Sequence, residues 1–138
     1  MSLMITVEQI KKHEGYKQYP YYCTGGKLTI GYGRNLEDNG IDEEEAEQLL
    51  ARDIKEAKAG IKRRIDVSRC NEPRQAVLVN MAFNLGVTGL MGFKKMIANL
   101  EQGNYEQAAL EMLHSRWANQ VPGRANELAK QMLSGEWQ

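Results

Sequence analysis

EGYKQYPYYCTGGKLTIGYG, residues 14–33, departs sharply in character from the sequence on either side of it. Tyr16, Tyr19, Tyr21 and Tyr22 lead into Gly25-Gly26, and Leu28-Thr29-Ile30-Gly31-Tyr32-Gly33 follows. Aromatic and β-branched runs around a glycine turn predict a β-hairpin, with room for a third short strand. Before it, Thr6-x-x-Gln9 reads as a capping box opening a short helix, with Val7 and Ile10 apolar, Glu14 at the exit and Gly15 just behind.

After the hairpin the periodicity turns helical. Asp42-x-x-Glu45 is a second capping signal, and Ala46, Leu49, Leu50, Ile54, Ala57 and Ile61 recur at helical spacing over 42–65. Its apolar stripe is narrow and its other faces are charged, as in a helix that joins two lobes. Pro73 suits the first turn of the next helix, where Ala76, Val77, Leu78, Val79, Met81, Ala82, Phe83 and Leu85 cover most of the circumference. That helix should be the buried centre of a helical lobe. Gly86, Gly89 and Gly92 punctuate turns before Phe93, Met96, Ile97 and Leu100, a further helix starts at a cap on Asn104, and a last one follows Pro122. The expected fold is α+β and mainly α-helical, a single domain over 1–138: an N-terminal α+β lobe (1–41), a linking helix (42–65) and a helical lobe (66–138).

Composition bounds the function. The chain has 138 residues, 42% hydrophobic and 26% charged, which fits one globular domain and disfavours disorder. No apolar run approaches the roughly 18 residues of a membrane span. Eighteen basic residues balance eighteen acidic ones, which removes the simplest case for a nucleic-acid binder. Glu37 to Glu47 holds seven acids and no base, and Arg52 to Arg69 holds seven bases against three acids. Such a gradient suits a helix dipole, or a polyanion such as a cell-wall polymer. Cys23 and Cys70 are too few for a disulfide framework and fit a reducing compartment. Met1-Ser2-Leu3 precede a second start at Met4 and read as an expression remnant, and the charged stretch after them lacks the apolar centre of a secretion signal.

The chemistry is narrowed by elimination. His13 and His114 lie far apart and no zinc spacing is present; Gly31-Tyr32-Gly33 lacks both the dinucleotide fingerprint and the Walker lysine. No metal and no cofactor is expected. What remains is a carboxylate at a helix end, Glu14, with a thiol nine residues on at Cys23 and a hydroxyl six further at Thr29. Taken singly, these read as a solvated acid, a small buried hydrophobe and an ordinary strand residue. Their spacing lets them fold back into one pocket.

Together, Glu14-Gly15, Tyr22-Cys23, Gly26 and Thr29-Ile30-Gly31-Tyr32-Gly33 resemble the catalytic region of the phage-type lysozymes, the T4-like endolysins of glycoside hydrolase family 24. Asn80-Met81-Ala82-Phe83-Asn84-Leu85-Gly86, Thr88-Gly89, Gly92-Phe93 and Ser115-Arg116-Trp117-Ala118-Asn119-Gln120-Val121-Pro122-Gly123-Arg124-Ala125 resemble its second half. The resemblance implies a lysozyme-like fold and hydrolysis of the β-1,4 bond between N-acetylmuramic acid and N-acetylglucosamine in peptidoglycan, in a cleft between lobes. Glu14 matches the general acid, which needs a raised pKa to protonate a glycosidic oxygen at neutral pH. Thr29 matches the threonine that helps hold the attacking water. Arg124 matches an arginine approaching the acid, where its charge would oppose that rise while orienting the carboxyl.

Cys23 stands where other members have aspartate, although some carry cysteine. An unperturbed thiol is only a few per cent ionised at neutral pH, and a nearby Glu14 would suppress ionisation further. Three roles stay open: base for a water, covalent nucleophile, or dispensable neighbour. Among the remaining matches, Phe83 and Asn84 fall at the cleft on the central helix, Phe83 equally suiting core packing, and Gly33 and Asn35 fall on the far wall beyond the hairpin. Gln120 and Arg124 complete the expected substrate contacts. Arg34 and Asp53 fall where the family has a structural ion pair. Trp117 and Trp137 read as packing anchors and Cys70 as a space filler before Pro73, with no Cys23–Cys70 disulfide expected.

The resemblance implies a monomer made in the host cytoplasm of a phage or prophage, reaching the wall after a separate membrane-permeabilising protein, a holin, has acted. No nucleic acid and no stable membrane insertion are expected. The competing readings are a wall-binding module without turnover, a helical interaction domain and a lytic transglycosylase.

Overall fold

The computed structural model describes residues 3–138, so the reading of Met1 and Ser2 lies outside the described residues. The first helix, α1 (Leu3–Glu14), is already helical at Leu3. Thr6 and Gln9 therefore sit inside it and do not open it, because Leu3 and Met4 are strong helix formers that carry the turn back past the capping signal. Gly15 ends the helix with φ +71°, a left-handed conformation that glycine adopts at no steric cost, and its N–H donates to the Lys11 carbonyl at 2.9 Å.

Three antiparallel strands follow, β1 (Lys17–Tyr22), β2 (Leu28–Gly31) and β3 (Arg34–Asn35), in the order β1-β2-β3. Between β1 and β2 the Gly26 N–H donates to the Cys23 carbonyl at 2.8 Å, and Gly26 has φ +78°. A tight turn closed by a left-handed glycine is a favoured short hairpin connection. The pairing register shifts between Lys17 and Tyr21, around Pro20, which has no N–H for the ladder and sits on an edge strand. A short helix, α2 (Leu36–Asn39), is capped by Asn35, whose Oδ1 accepts from the Asp38 N–H at 3.0 Å.

Helix α3 (Glu43–Arg64) opens on the capping box read from sequence. The Glu45 N–H donates to Asp42 Oδ1 at 2.8 Å, and the Asp42 N–H donates to Glu45 Oε1 at 3.1 Å. Acids fill its first turn and bases its last, as the charge gradient suggested. The chain divides into two compact units after Gln48, inside α3. Arg34 pairs with Glu45 at 2.9 Å and not with the expected Asp53; Glu45 is fixed beside the sheet by its own capping bonds, within reach of the guanidinium.

The C-terminal unit holds the rest of α3 and five more helices: α4 (Glu72–Met91), α5 (Lys94–Glu101), α6 (Tyr105–Leu113), α7 (Arg116–Gln120) and α8 (Pro122–Ser134). Asn71 caps α4, and Pro73 stands in its first turn. A kink at Gly86 (φ +78°, ψ 158°) bends α4, which then resumes, so Gly89 lies within the helix and not in a turn. Asn104 occupies the cap position of α6 but its side chain makes no capping bond. Helix α7 is too short for a periodic signal, and Ser115 caps it. Val77, Leu78, Met81 and Leu90 of α4 meet Met96 and Leu100 of α5, Met112 of α6 and Met132 of α8 in the core, all essentially inaccessible. Burying each large aliphatic side chain contributes about 1.5–3 kcal/mol. Cys70 joins this core, as expected, and Trp117 is buried within it. Trp137 is 61% exposed, so it is no core anchor; it follows the left-handed stop at Gly135, beyond the last helix.

Candidate active site

The N-terminal unit holds the three groups expected to be catalytic, two of them on the hairpin. Thr29, in the central strand, pairs with Tyr21 on one side and Asn35 on the other and is buried, and its hydroxyl donates to the Lys27 carbonyl at 2.8 Å. Cys23, half-buried and in no disulfide, begins the β1–β2 turn. The backbone N–H of Lys27 and then that of Gly25 bring its thiol below the ordinary range; partial burial opposes them, and the Thr29 side chain adds to the lowering. The local amides thus favour thiolate, against the suppression expected from Glu14.

Glu14 ends α1 and is exposed. Its carboxyl lies against the β2–β3 turn at Gly33: a Cβ built on Gly33, which has φ +75°, would stand 2.7 Å from Glu14 Oε2. Glu14, the thiol turn and Thr29 all belong to the N-terminal unit, Cys23 and Thr29 meeting through their side chains and Glu14 meeting the sheet at Gly33. Asn35 has both ends of its side-chain amide engaged by Asp38, through Oδ1 and through Nδ2 at 2.9 Å, which gives it a capping task.

The remaining expected residues belong to the C-terminal unit. Phe83, 47% exposed and so not core packing, lines a groove of about 370 Å³ with Leu50, Ile54, Val79, Asn80 and Arg124. Arg124 is held there by Asn80, donating from Nε to Oδ1 at 2.7 Å and from Nη2 to the carbonyl at 3.2 Å. Asn84 accepts from Trp117 Nε1 at 2.7 Å, satisfying the indole N–H of a buried ring. Gln120 lines a larger groove, about 570 Å³, with Trp117, Phe93, His114 and Arg116. Phe93 and Trp117 meet edge to face there, with centroids 6.0 Å apart. The structure thus joins Phe83 to Arg124, and Asn84 to the Trp117 wall.

Sequence reasoning missed Asn80 as the holder of Arg124, and Lys27 and Gly25 as the amides around the thiol. The signal for the second was present: a glycine pair directly after a cysteine exposes N–H groups in a tight turn. Among the described residues no group of three or more His, Cys, Asp or Glu side chains is placed to hold a metal ion, and no single helix is long and apolar enough to cross a membrane.

The phage lysozyme family model matches residues 11–132, from the last turn of α1 to the last turns of α8. The chain belongs to the phage lysozyme family. It is a lysozyme, a hydrolase of peptidoglycan, as the resemblance of its motifs implied. Among its relatives, the pre-baseplate central spike protein Gp5 of Enterobacteria phage T4 is 29% identical; the match covers 96% of this chain but only 28% of that protein. The probable T4-type lysozyme 1 of Dictyostelium discoideum is 26% identical, with 93% of each chain covered. An endolysin of Acyrthosiphon pisum secondary endosymbiont phage 1 is 30% identical over 86% of this chain and 82% of its own.

Proposed function

We propose that this lysozyme cleaves the β-1,4 bond from N-acetylmuramic acid to N-acetylglucosamine, with Glu14 as general acid and the Cys23 thiolate as base. Glu14 gives its proton to the glycosidic oxygen as the C–O bond breaks. A water held near Thr29 adds to the anomeric carbon and passes a proton to Cys23. The observation that carries this reading is the thiol turn. The N–H groups of Lys27 and Gly25 favour negative charge on Cys23, which supports a thiol in the role of base. Phe83, Asn84, Gln120 and Arg124 contact the glycan or its substituents, and Gly33 and Asn35 shape the hairpin wall.

The protein works as a monomer, accumulates in the host cytoplasm and reaches the wall once a separate membrane-permeabilising protein has opened the membrane. Its likeness to a phage endolysin supports that placement.

The test is turbidity loss of outer-membrane-permeabilised Gram-negative cells. Wild type and Cys23→Asp should clear the suspension, whereas folded Glu14→Gln and Cys23→Ala should not. Clearing by Glu14→Gln removes the acid from the scheme. A folded but inactive Cys23→Asp removes the thiol from the role of base, and retained anomeric configuration in the product would make it the nucleophile.

A further inference from the structure

The Gly33 backbone, not only its place in the hairpin, bears on the acid. A Cβ at Gly33 would meet three atoms of Glu14: Oε2 at 2.7 Å, Cδ at 2.9 Å and Cγ at 3.2 Å. Real side chains do not approach this closely, so with any other residue at position 33 the Glu14 carboxyl has to move. The obstructed atoms belong to the outer part of a flexible side chain that is exposed, so the displacement is easy for the fold and falls on the Glu14 side chain, its carboxyl most of all. Gly31, two residues earlier, has nearly the same left-handed backbone, φ +69° against +75°, but a Cβ there would meet nothing within 4 Å. The two glycines thus separate two reasons for having no side chain: a backbone conformation that both share, and a close approach to Glu14 that Gly33 alone makes.

We propose that Gly33 is a positioning residue for the general acid: having no side chain, it lets the Glu14 carboxyl rest against the β2–β3 turn, in the place from which the proton is delivered. This rests on the reading of Glu14 as the acid. Proton transfer needs the carboxyl within hydrogen-bond reach of the leaving oxygen, and a misplacement of about 1 Å costs about 100-fold in rate. A residue that only touched substrate would act mainly on KM; one that places the acid acts on kcat.

The experiment compares Gly33→Ala, Gly31→Ala and Glu14→Gln with wild type, using kcat and KM on soluble glycan strands, thermal melting, and the side-chain carboxyl 13C resonance of Glu14, assigned by its disappearance in Glu14→Gln. Both alanine variants should melt lower by similar amounts. Only Gly33→Ala should shift the Glu14 resonance and lose about 100-fold in kcat with KM changed less than about threefold. Gly33→Asn, a residue type that tolerates left-handed backbone, repeats the test should the alanine variant fail to fold. An unmoved resonance, or equal losses of kcat in the Gly31 and Gly33 variants, overturns the proposal while an inactive Glu14→Gln leaves the acid assignment standing. An active Glu14→Gln overturns both.

Discussion

The two units of the chain are held together by different physics. Every buried apolar side chain among the described residues lies after Gln48, in the helical unit, where α4, α5, α6 and α8 close on one core. In the unit before it, Thr29 is the one buried residue described, and α1 buries none of its side chains. That unit is shaped by left-handed glycines, by the reciprocal cap of Asp42 and Glu45, by the Asn35 cap and by the Arg34–Glu45 pair. Burial stabilises without specifying where a polar atom points; turns and caps stabilise little but fix directions. The groups proposed for acid–base work sit in the second kind of structure, where thiol and carboxyl meet backbone amides and a bare glycine. A lysozyme assembled this way can lose its chemistry without losing its fold, and can lose stability while its folded molecules keep their chemistry.

The largest expected effect separates the two most cleanly. Glu14→Gln should lower turnover about 10²–10⁴-fold with an unchanged melting curve, because the side chain is exposed and the change is isosteric. Leu78→Ala should do the opposite, costing about 2–5 kcal/mol in urea unfolding while each folded molecule keeps its activity. Asn84→Ala probes the border between the roles. It removes the acceptor of the buried Trp117 N–H and should cost about 1 kcal/mol, and a larger loss of glycan affinity than of stability would reveal direct substrate contact.

The two cysteines sharpen the contrast without mutation. Iodoacetamide at neutral pH should label Cys23 faster than an ordinary thiol, since local amides lower its pKa. Cys70, buried and pushed upward by that burial, should label only on unfolding. Equal rates would refute the account of the thiol turn. The smallest effect is expected for Glu45→Gln. The bond from Arg34 and the Asp42 amide hold the Glu45 carboxyl below the usual range. A depressed folded-state pKa gives stability that is fully present above the unfolded value and is lost as pH falls through the folded one. Wild type should therefore melt slightly above the variant at neutral pH and converge with it in acid.

Much of this division was legible in the residues. Gly25-Gly26 placed the hairpin turn, and Asp42-x-x-Glu45 the start of α3. Ala125, Leu128, Ala129 and Met132 follow the helical period of a buried face, and all four are buried in α8. Local signals carried these because each involves groups a few residues apart. Thr6 misled because good helix formers upstream outweighed its cap, and the Arg34 partner was missed because a long side chain chooses among carboxylates by where they are anchored. Helix α7 was hidden by its length. In the site, the types and order of Glu14, Cys23 and Thr29 were readable. The clamp of Asn80 on Arg124, the amides behind the thiol and the contact of Gly33 with Glu14 depend on backbone direction across a turn or between helices, which residue identity alone does not give.

The central claim is that the polar N-terminal unit supplies an acid for hydrolysis. Mass analysis of the fragments released from purified peptidoglycan, with wild type beside folded Glu14→Gln, tests it most directly. The account predicts muramic acid ends that carry the added water, formed by the wild type alone. Anhydro-muramic ends, or hydrolysed ends from both proteins, would contradict it.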